Sequence, residues 1–255
     1  MAYPYAWDYR FYYPVFYWSF FLLMLVTDLL FKKYRIGQEK EEKAMEAEVK
    51  ATIEDAQKLM VNSVAAIGRM IDEKDNYTRQ HSQRVADYSR LIAENLKSFH
   101  PIEKEVDQIY RSALLHDIGK IAIPDAILKK TSRLTDEEYA IMKTHPVWGK
   151  KILAGFSFLP QADYGASYHH ERYDGKGYPE GIRTDDLPYI VRIISAADAL
   201  DAMNSNRCYR KQCSRNYIIS EFEKGSGTQF DPEVAETVIY LIEEGKIEIP
   251  EGENA

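Results

Sequence analysis

The sequence predicts an all-α protein. Apolar residues recur at gaps of three and four through most of the chain, the alternation that marks strands is scarce, and helix start and stop signals punctuate the runs. No period of solenoid length recurs along the 255 residues.

The first element differs in kind from the rest. Residues 11–31, FYYPVFYWSFFLLMLVTDLLF, are apolar and aromatic with Asp28 as their one charge. As a helix this run is about 30 Å long at about 1.5 Å per residue, enough for a bilayer core. Lys32, Lys33 and Arg35 follow at once, which predicts an anchor in the inner (cytoplasmic) membrane and a cytoplasmic domain after it. Pro14 and Asp28 count against a span. The competing reading is an aromatic helix packed on the domain or on a second subunit. A signal peptide fits less well, because a basic start and a small-residue cleavage site are missing.

Residues 38–50, QEKEEKAMEAEVK, are charged and helix-favouring. Val49, Ile53, Ala56, Met60, Val64, Ile67 and Ile71 then form one apolar stripe. The stripe predicts a stalk that merges into a core helix, with a homodimer through residues 38–71 as the corresponding partner. HSQRVADYSRLIAENL, from His81, is amphipathic, and IYRSALLHDIGK reads as an apolar helix stopping at Gly119. Ser132 and Thr135, with Asp136 to Glu138 behind them, start a helix over Leu134 to Met142. YIVRIISAADALDAM is apolar almost all round and belongs deep in the fold, and Asp231-Pro232 opens a last helix.

Hydrophobic residues make up 45% and charged residues 29%, an ordinary globular mixture. The net charge of -7 and the lack of basic blocks argue against a DNA or RNA polymer as partner. Cys208 and Cys213 match no zinc spacing and read as reduced thiols.

Five of the six histidines fall in short polar clusters: His81, His116 beside Asp117, His145 before a proline, and the pair His169-His170. Asp198 and Asp201 lie three apart on the deep helix, hence on one face. Aspartates on a buried apolar helix need something to neutralise them, and metal cations are the natural candidates. Imidazole with carboxylate suits iron, manganese or zinc, and the absence of thiolates weakens a structural zinc.

DNYTRQHSQRV (75–85), HDIGK (116–120), HPVWG (145–149), HHERYDGKGYP (169–179) and SAADALDAMNSNRCYR (195–210) stand in order. In this the chain resembles the HD-GYP subfamily of the HD phosphohydrolase superfamily, from about residue 60 to 235. The resemblance implies an HD-type helical bundle with an added GYP helix-loop region behind the N-terminal hydrophobic helix. The corresponding layout is a hydrophobic segment at 1–37, a charged linker at 38–58, a catalytic domain at 59–247 and a polar tail at 248–255, with no sensory domain upstream.

The activity it implies is hydrolysis of cyclic di-GMP to linear pGpG or GMP by a hydroxide bridging two divalent ions, iron foremost and manganese as the alternative. Carried onto this chain, His81, His116, Asp117 and Asp198 hold one ion. His145, His169 and His170 hold the other, with Asp117 bridging. Asp117 and Lys120 are then catalytic; Lys120, Tyr178, Arg207 and Arg210 contact the substrate; Arg84, Thr78, Asp174 and Asp201 orient ligands by hydrogen bonds.

Two departures matter. Tyr77 stands where some relatives carry a glutamate whose carboxylate binds a third metal, so two metals are expected here, with Asp75 or Glu73 as the carboxylates that could compensate. Cys208 stands where relatives often carry proline. The competing functions are a phosphodiesterase for cyclic GMP-AMP and a non-catalytic nucleotide-binding sensor or interaction module.

Overall fold

The computed structural model describes residues 9–74, 80–155, 161–183, 186–205 and 212–249. Among these residues there is no strand beyond one isolated bridge between Ser226 and Phe230, so the fold is all-α. The chain divides into two compact units, Met1–Leu59 and Met60–Ala255, although helix α1 (Tyr9–Lys74) is continuous through the boundary.

In the first unit, α1 contains an 18-residue window of mean hydropathy 1.8, none of it buried, which is long and apolar enough to cross a membrane. Pro14 lies in its second turn, where the ring costs one helical hydrogen bond. Asp28 pairs with Lys32 one turn on, at 2.7 Å.

The second unit begins with the last turns of α1, where Val64 and Ile71 are buried while Met60 and Ile67 pack partly against the same core. Its centre is α8 (Tyr189–Asn204), with Ile190, Val191, Ile193, Ile194, Ala196, Ala197 and Leu200 all buried. That sequence has no polar stripe because neighbours cover it on several sides. One neighbour is α2 (His81–Asn95), which turns Val85, Ala86, Ile92 and Ala93 inward and also packs on α3 (Glu103–Leu114).

The α3 helix stops at Leu114, short of the expected Gly119. His116 and Asp117 occupy a turn, and Ile118–Ala122 form a 3-10 turn. Close packing is the reason. A Cβ on Gly119 would lie 1.8 Å from the His145 carbonyl oxygen and 2.6 Å from the Gly149 amide nitrogen, so glycine here admits α6 (His145–Leu153) against the turn instead of capping a helix.

Between them lie α4 (Asp125–Leu128) and α5 (Asp136–Met142). Thr135 caps α5, with Glu138 returning the bond to the Thr135 amide. Then α7 (Ala162–Tyr168) packs small residues against α3 and α6, and α9 (Arg215–Gly225) pairs with α10 (Pro232–Glu243). Asp231 caps α10 through the amides of Glu233 and Val234, as its Asp-Pro start predicts. Cys213 is half-buried.

Candidate metal centre

The expected ligand residues come from five separate places in the second unit: the start of α2, the turn after α3, the start of α6, the end of α7 and the middle of α8. In three histidines the Nδ1 atom faces a main-chain carbonyl: His116 to Ala113 O at 2.7 Å, His145 to Met142 O at 2.8 Å and His169 to Gly165 O at 2.8 Å. A carbonyl only accepts, so each Nδ1 carries the proton, and in the neutral ring each Nε2 presents a lone pair to the centre. His81 is oriented differently, its Nδ1 lying 2.7 Å from Asp201 Oδ2.

Asp117 stands in the middle with its two oxygens facing different ways. Oδ2 is 3.6 Å from His81 Nε2 and 3.4 Å from His116 Nε2, and Oδ1 is 3.4 Å from His145 Nε2 and 3.8 Å from His169 Nε2. Asp198 Oδ1 joins the first group, 3.4 Å from His81 Nε2 and 4.0 Å from His116 Nε2. His170 joins the second: donor atoms of His145, His169 and His170 lie within 4.8 Å of one another, as do those of His81, His116 and Asp117. A third grouping, His116, His169 and Asp198, spans the two.

These residues suit divalent cations. His116 Nε2 is buried with no hydrogen-bond partner, and such an orphan calls for an explanation. His145 Nε2 and His169 Nε2 face each other at 3.2 Å. With both protons on Nδ1, two lone pairs meet at hydrogen-bond distance, and only a cation or an extra proton reconciles them. A proton is disfavoured: burial lowers His145 to about 3, helped by the charges of His170 and Lys120 against the pull of Asp117. Burial, with the neighbouring imidazoles, also holds His169 well below its usual value. The chemistry of this His/Asp cluster therefore fits divalent metal binding.

The Oδ2 side carries the opposite bias. Burial opposes charge on His81, but hydrogen bonds to Asp117 and Asp201 and the charge of Asp198 raise it to about 9. Burial works against Asp117 as well, yet Lys120 and His116 hold its carboxyl well below the usual range. Lys120 Nζ is 2.7 Å from Asp117 Oδ2.

Around this centre, Arg84 grips Asp201 with two bonds, Nε to Oδ1 at 2.6 Å and Nη2 to Oδ2 at 3.0 Å, so Asp201 is held while it holds His81. Asp174 is placed elsewhere. It pairs with Arg172 at 3.1 Å and accepts from the Lys176 amide, serving its own glycine-containing turn rather than any of the ligand residues. The carboxylate that organises this loop is Glu171, which is buried and accepts from the amides of Glu180, Gly181 and Ile182. Gly177 is required there, because a Cβ would fall 2.5 Å from His170 O and from Arg172 N. Tyr178 stacks on His170 with ring centroids 4.7 Å apart. Thr78, Arg207 and Arg210 lie outside the described residues, as do Asp75, Tyr77 and Cys208.

A cavity of about 890 Å³ opens over the centre, bounded by His81, Asp117, Lys120, His145, His170, Tyr178 and Asp198 on its floor. Its outer wall is the segment Lys130 to Asp136 with Tyr139, which the sequence alone does not single out because its polar residues look like an ordinary linker. Lys130 there pairs with Glu138 at 2.5 Å.

Comparison with known proteins agrees with this geometry. The HD domain family model matches residues 66–234. A cyclic di-GMP phosphodiesterase of Thermotoga maritima is 40% identical over 185 residues, covering 71% of this chain and 49% of the relative. Two Vibrio cholerae proteins are similar as well. One, a cyclic di-GMP phosphodiesterase, is 35% identical over 71% of this chain and 39% of its own length. The other, a 3'3'-cGAMP-specific phosphodiesterase, is 37% identical over 67% and 36%. The chain thus spans half or less of the length of these three relatives. Among solved structures, an HDG"Y"P protein from Bdellovibrio bacteriovorus superposes with a TM-score of 0.53 at 20% identity, over 64% of this chain and 51% of that one. With a matching family model, the ordered motifs and the same helical fold, the chain belongs to the HD domain family, in its HD-GYP branch.

Proposed function

We propose that this chain is a metal-dependent phosphodiesterase that hydrolyses cyclic di-GMP to linear pGpG or GMP. The observation that supports it most is Asp117, whose two oxygens each face a separate pair of histidine Nε2 atoms. In this reading His81, His116, Asp117 and Asp198 hold one divalent ion and His145, His169, His170 and Asp117 a second, with iron preferred and manganese the alternative. Such a pair supplies Lewis acidity at the phosphoryl oxygen and an activated water.

The chain's own residues do the rest. Lys120 offers its ammonium to a non-bridging phosphate oxygen, offsetting the charge that grows at phosphorus as water adds and the P–O3' bond breaks. Tyr178, stacked on His170 at the cavity floor, offers its ring face to the nucleotide. Arg207 and Arg210 are assigned to the second phosphate on the resemblance alone. A cavity of about 890 Å³ lies in the range of ligand pockets.

The name of the 3'3'-cGAMP-specific relative keeps cyclic GMP-AMP as the competing substrate. For the whole chain we propose a hydrophobic segment at 1–37 anchored in the cytoplasmic membrane, a charged linker at 38–58, a cytoplasmic catalytic domain at 59–247 and a polar tail at 248–255, with two copies paired through residues 38–71. Anaerobic purification with metal analysis, followed by chromatography of products from both cyclic dinucleotides, tests the assignment. Asp117→Asn should lose metal and cut turnover by on the order of 10³-fold or more. Full turnover in that variant, or bound metal with no hydrolysis by the natural chain, contradicts the reading.

A further inference from the structure

The last turn of α1 meets the reaction centre from behind. Lys74, its final residue, directs its ammonium at three main-chain carbonyls: Lys120 O at 3.3 Å, Ile121 O at 2.8 Å and Ile123 O at 3.1 Å. Three donors meet three acceptors, with Asp125 Oδ1 a further 3.5 Å away. Those carbonyls close the 3-10 turn Ile118–Ala122, the end where a cation is favoured. The same turn carries Lys120, whose Nζ reaches Asp117 Oδ2 at 2.7 Å.

Two residues earlier, Asp72 is buried and accepts from Ser82, through its amide at 3.1 Å and its hydroxyl at 2.7 Å. Gln80, at the start of α2, makes no side-chain cap, so Asp72 satisfies an orphan amide of that first turn from another helix. His81 immediately precedes Ser82. One turn of α1 therefore supports the backbone on both sides of the centre.

We propose that Lys74 and Asp72 are positioning residues for the reaction: Lys74 fixes the turn that aims Lys120 at the phosphate, and Asp72 fixes the helix start that aims His81 at its cation. The inference rests on the phosphodiesterase reading.

The test uses the full chain loaded with Mn²⁺. Lys74→Met keeps the aliphatic stem and removes the donors. It should lower kcat on cyclic di-GMP by on the order of 10–100-fold, with KM within about threefold and bound Mn²⁺ unchanged, and Lys74→Arg should recover most of the loss. Asp72→Asn should weaken Mn²⁺ binding by roughly tenfold. Lys97→Met, which removes only a surface pair with Glu236, is the control. Should Lys74→Met fail to fold, Lys74→Gln is read in the same way. A Lys74 variant that loses thermal stability but keeps kcat overturns the inference.

If the natural chain turns over no cyclic dinucleotide, the phosphodiesterase reading fails by itself. Titrations of Mn²⁺, and of inorganic phosphate onto the loaded chain, then decide the inference. Roughly tenfold losses of phosphate affinity in Lys74→Met and of Mn²⁺ affinity in Asp72→Asn uphold it, and natural affinities in both overturn it.

Discussion

His81 shows how one side chain is asked to do two things. Without a cation it sits between Asp201 behind and Asp117 and Asp198 in front, and it is raised from 6.5 to about 9. Its protonated form therefore stabilises the metal-free fold below pH 6.5, and that contribution is lost as pH rises through about 9. A cation needs the same Nε2 lone pair and so competes with this proton. Apparent metal affinity should rise with pH up to about 9, with proton release on binding, read by calorimetry in two buffers of different ionisation enthalpy. Affinity that is flat across that window would contradict the assignment. The residues of the cage were legible in the sequence because imidazoles beside carboxylates are rare outside sites. The supporting roles of Glu171, Asp72 and Lys74 were not, since bonds from a side chain to distant main-chain amides or carbonyls leave no signature in composition. Asp174, equally polar in its sequence neighbourhood, bonds to Arg172 and to the Lys176 amide within its own turn.

Among the elements, the contact of the 3-10 turn with α6 decides most. Gly119 lets the two backbones touch, and His145 begins the helix that leans on it. Gly119→Ala must push α6 away, so we expect a loss of stability above the about 1–3 kcal/mol usual for overpacking. Metal per chain should fall with it, because His145 moves. Thermal unfolding and metal analysis check this, with Gly37→Ala, which meets nothing within 4 Å, as a control expected to be neutral or slightly stabilising. Natural stability and full occupancy in Gly119→Ala would refute the argument. The longer helices were readable, α2 from its spacing, α8 from its unbroken apolar run and α10 from its Asp-Pro start. The short helices α4, α6 and α7 were not, since four to nine residues hold too little periodicity and these are fixed by neighbours instead.

For the whole molecule, the division at Leu59 and Met60 separates a unit with exposed apolar side chains from one with a buried core. Tyr17, Trp18, Phe21, Leu22 and Phe31 are each at least 60% exposed, a load that water tolerates poorly. The full chain should sediment with membranes while residues 38–255 stay in the supernatant and retain turnover. Both versions remaining soluble after fractionation would remove the anchor from the account. Within the second unit, the rings of His116, His145 and His169 are pinned through Nδ1 to carbonyls of the chain itself. Their tautomers are thus chosen by folding, before any ion arrives. A chelator should accordingly strip this protein without melting it, and the emptied chain should recharge in one step, with no refolding lag.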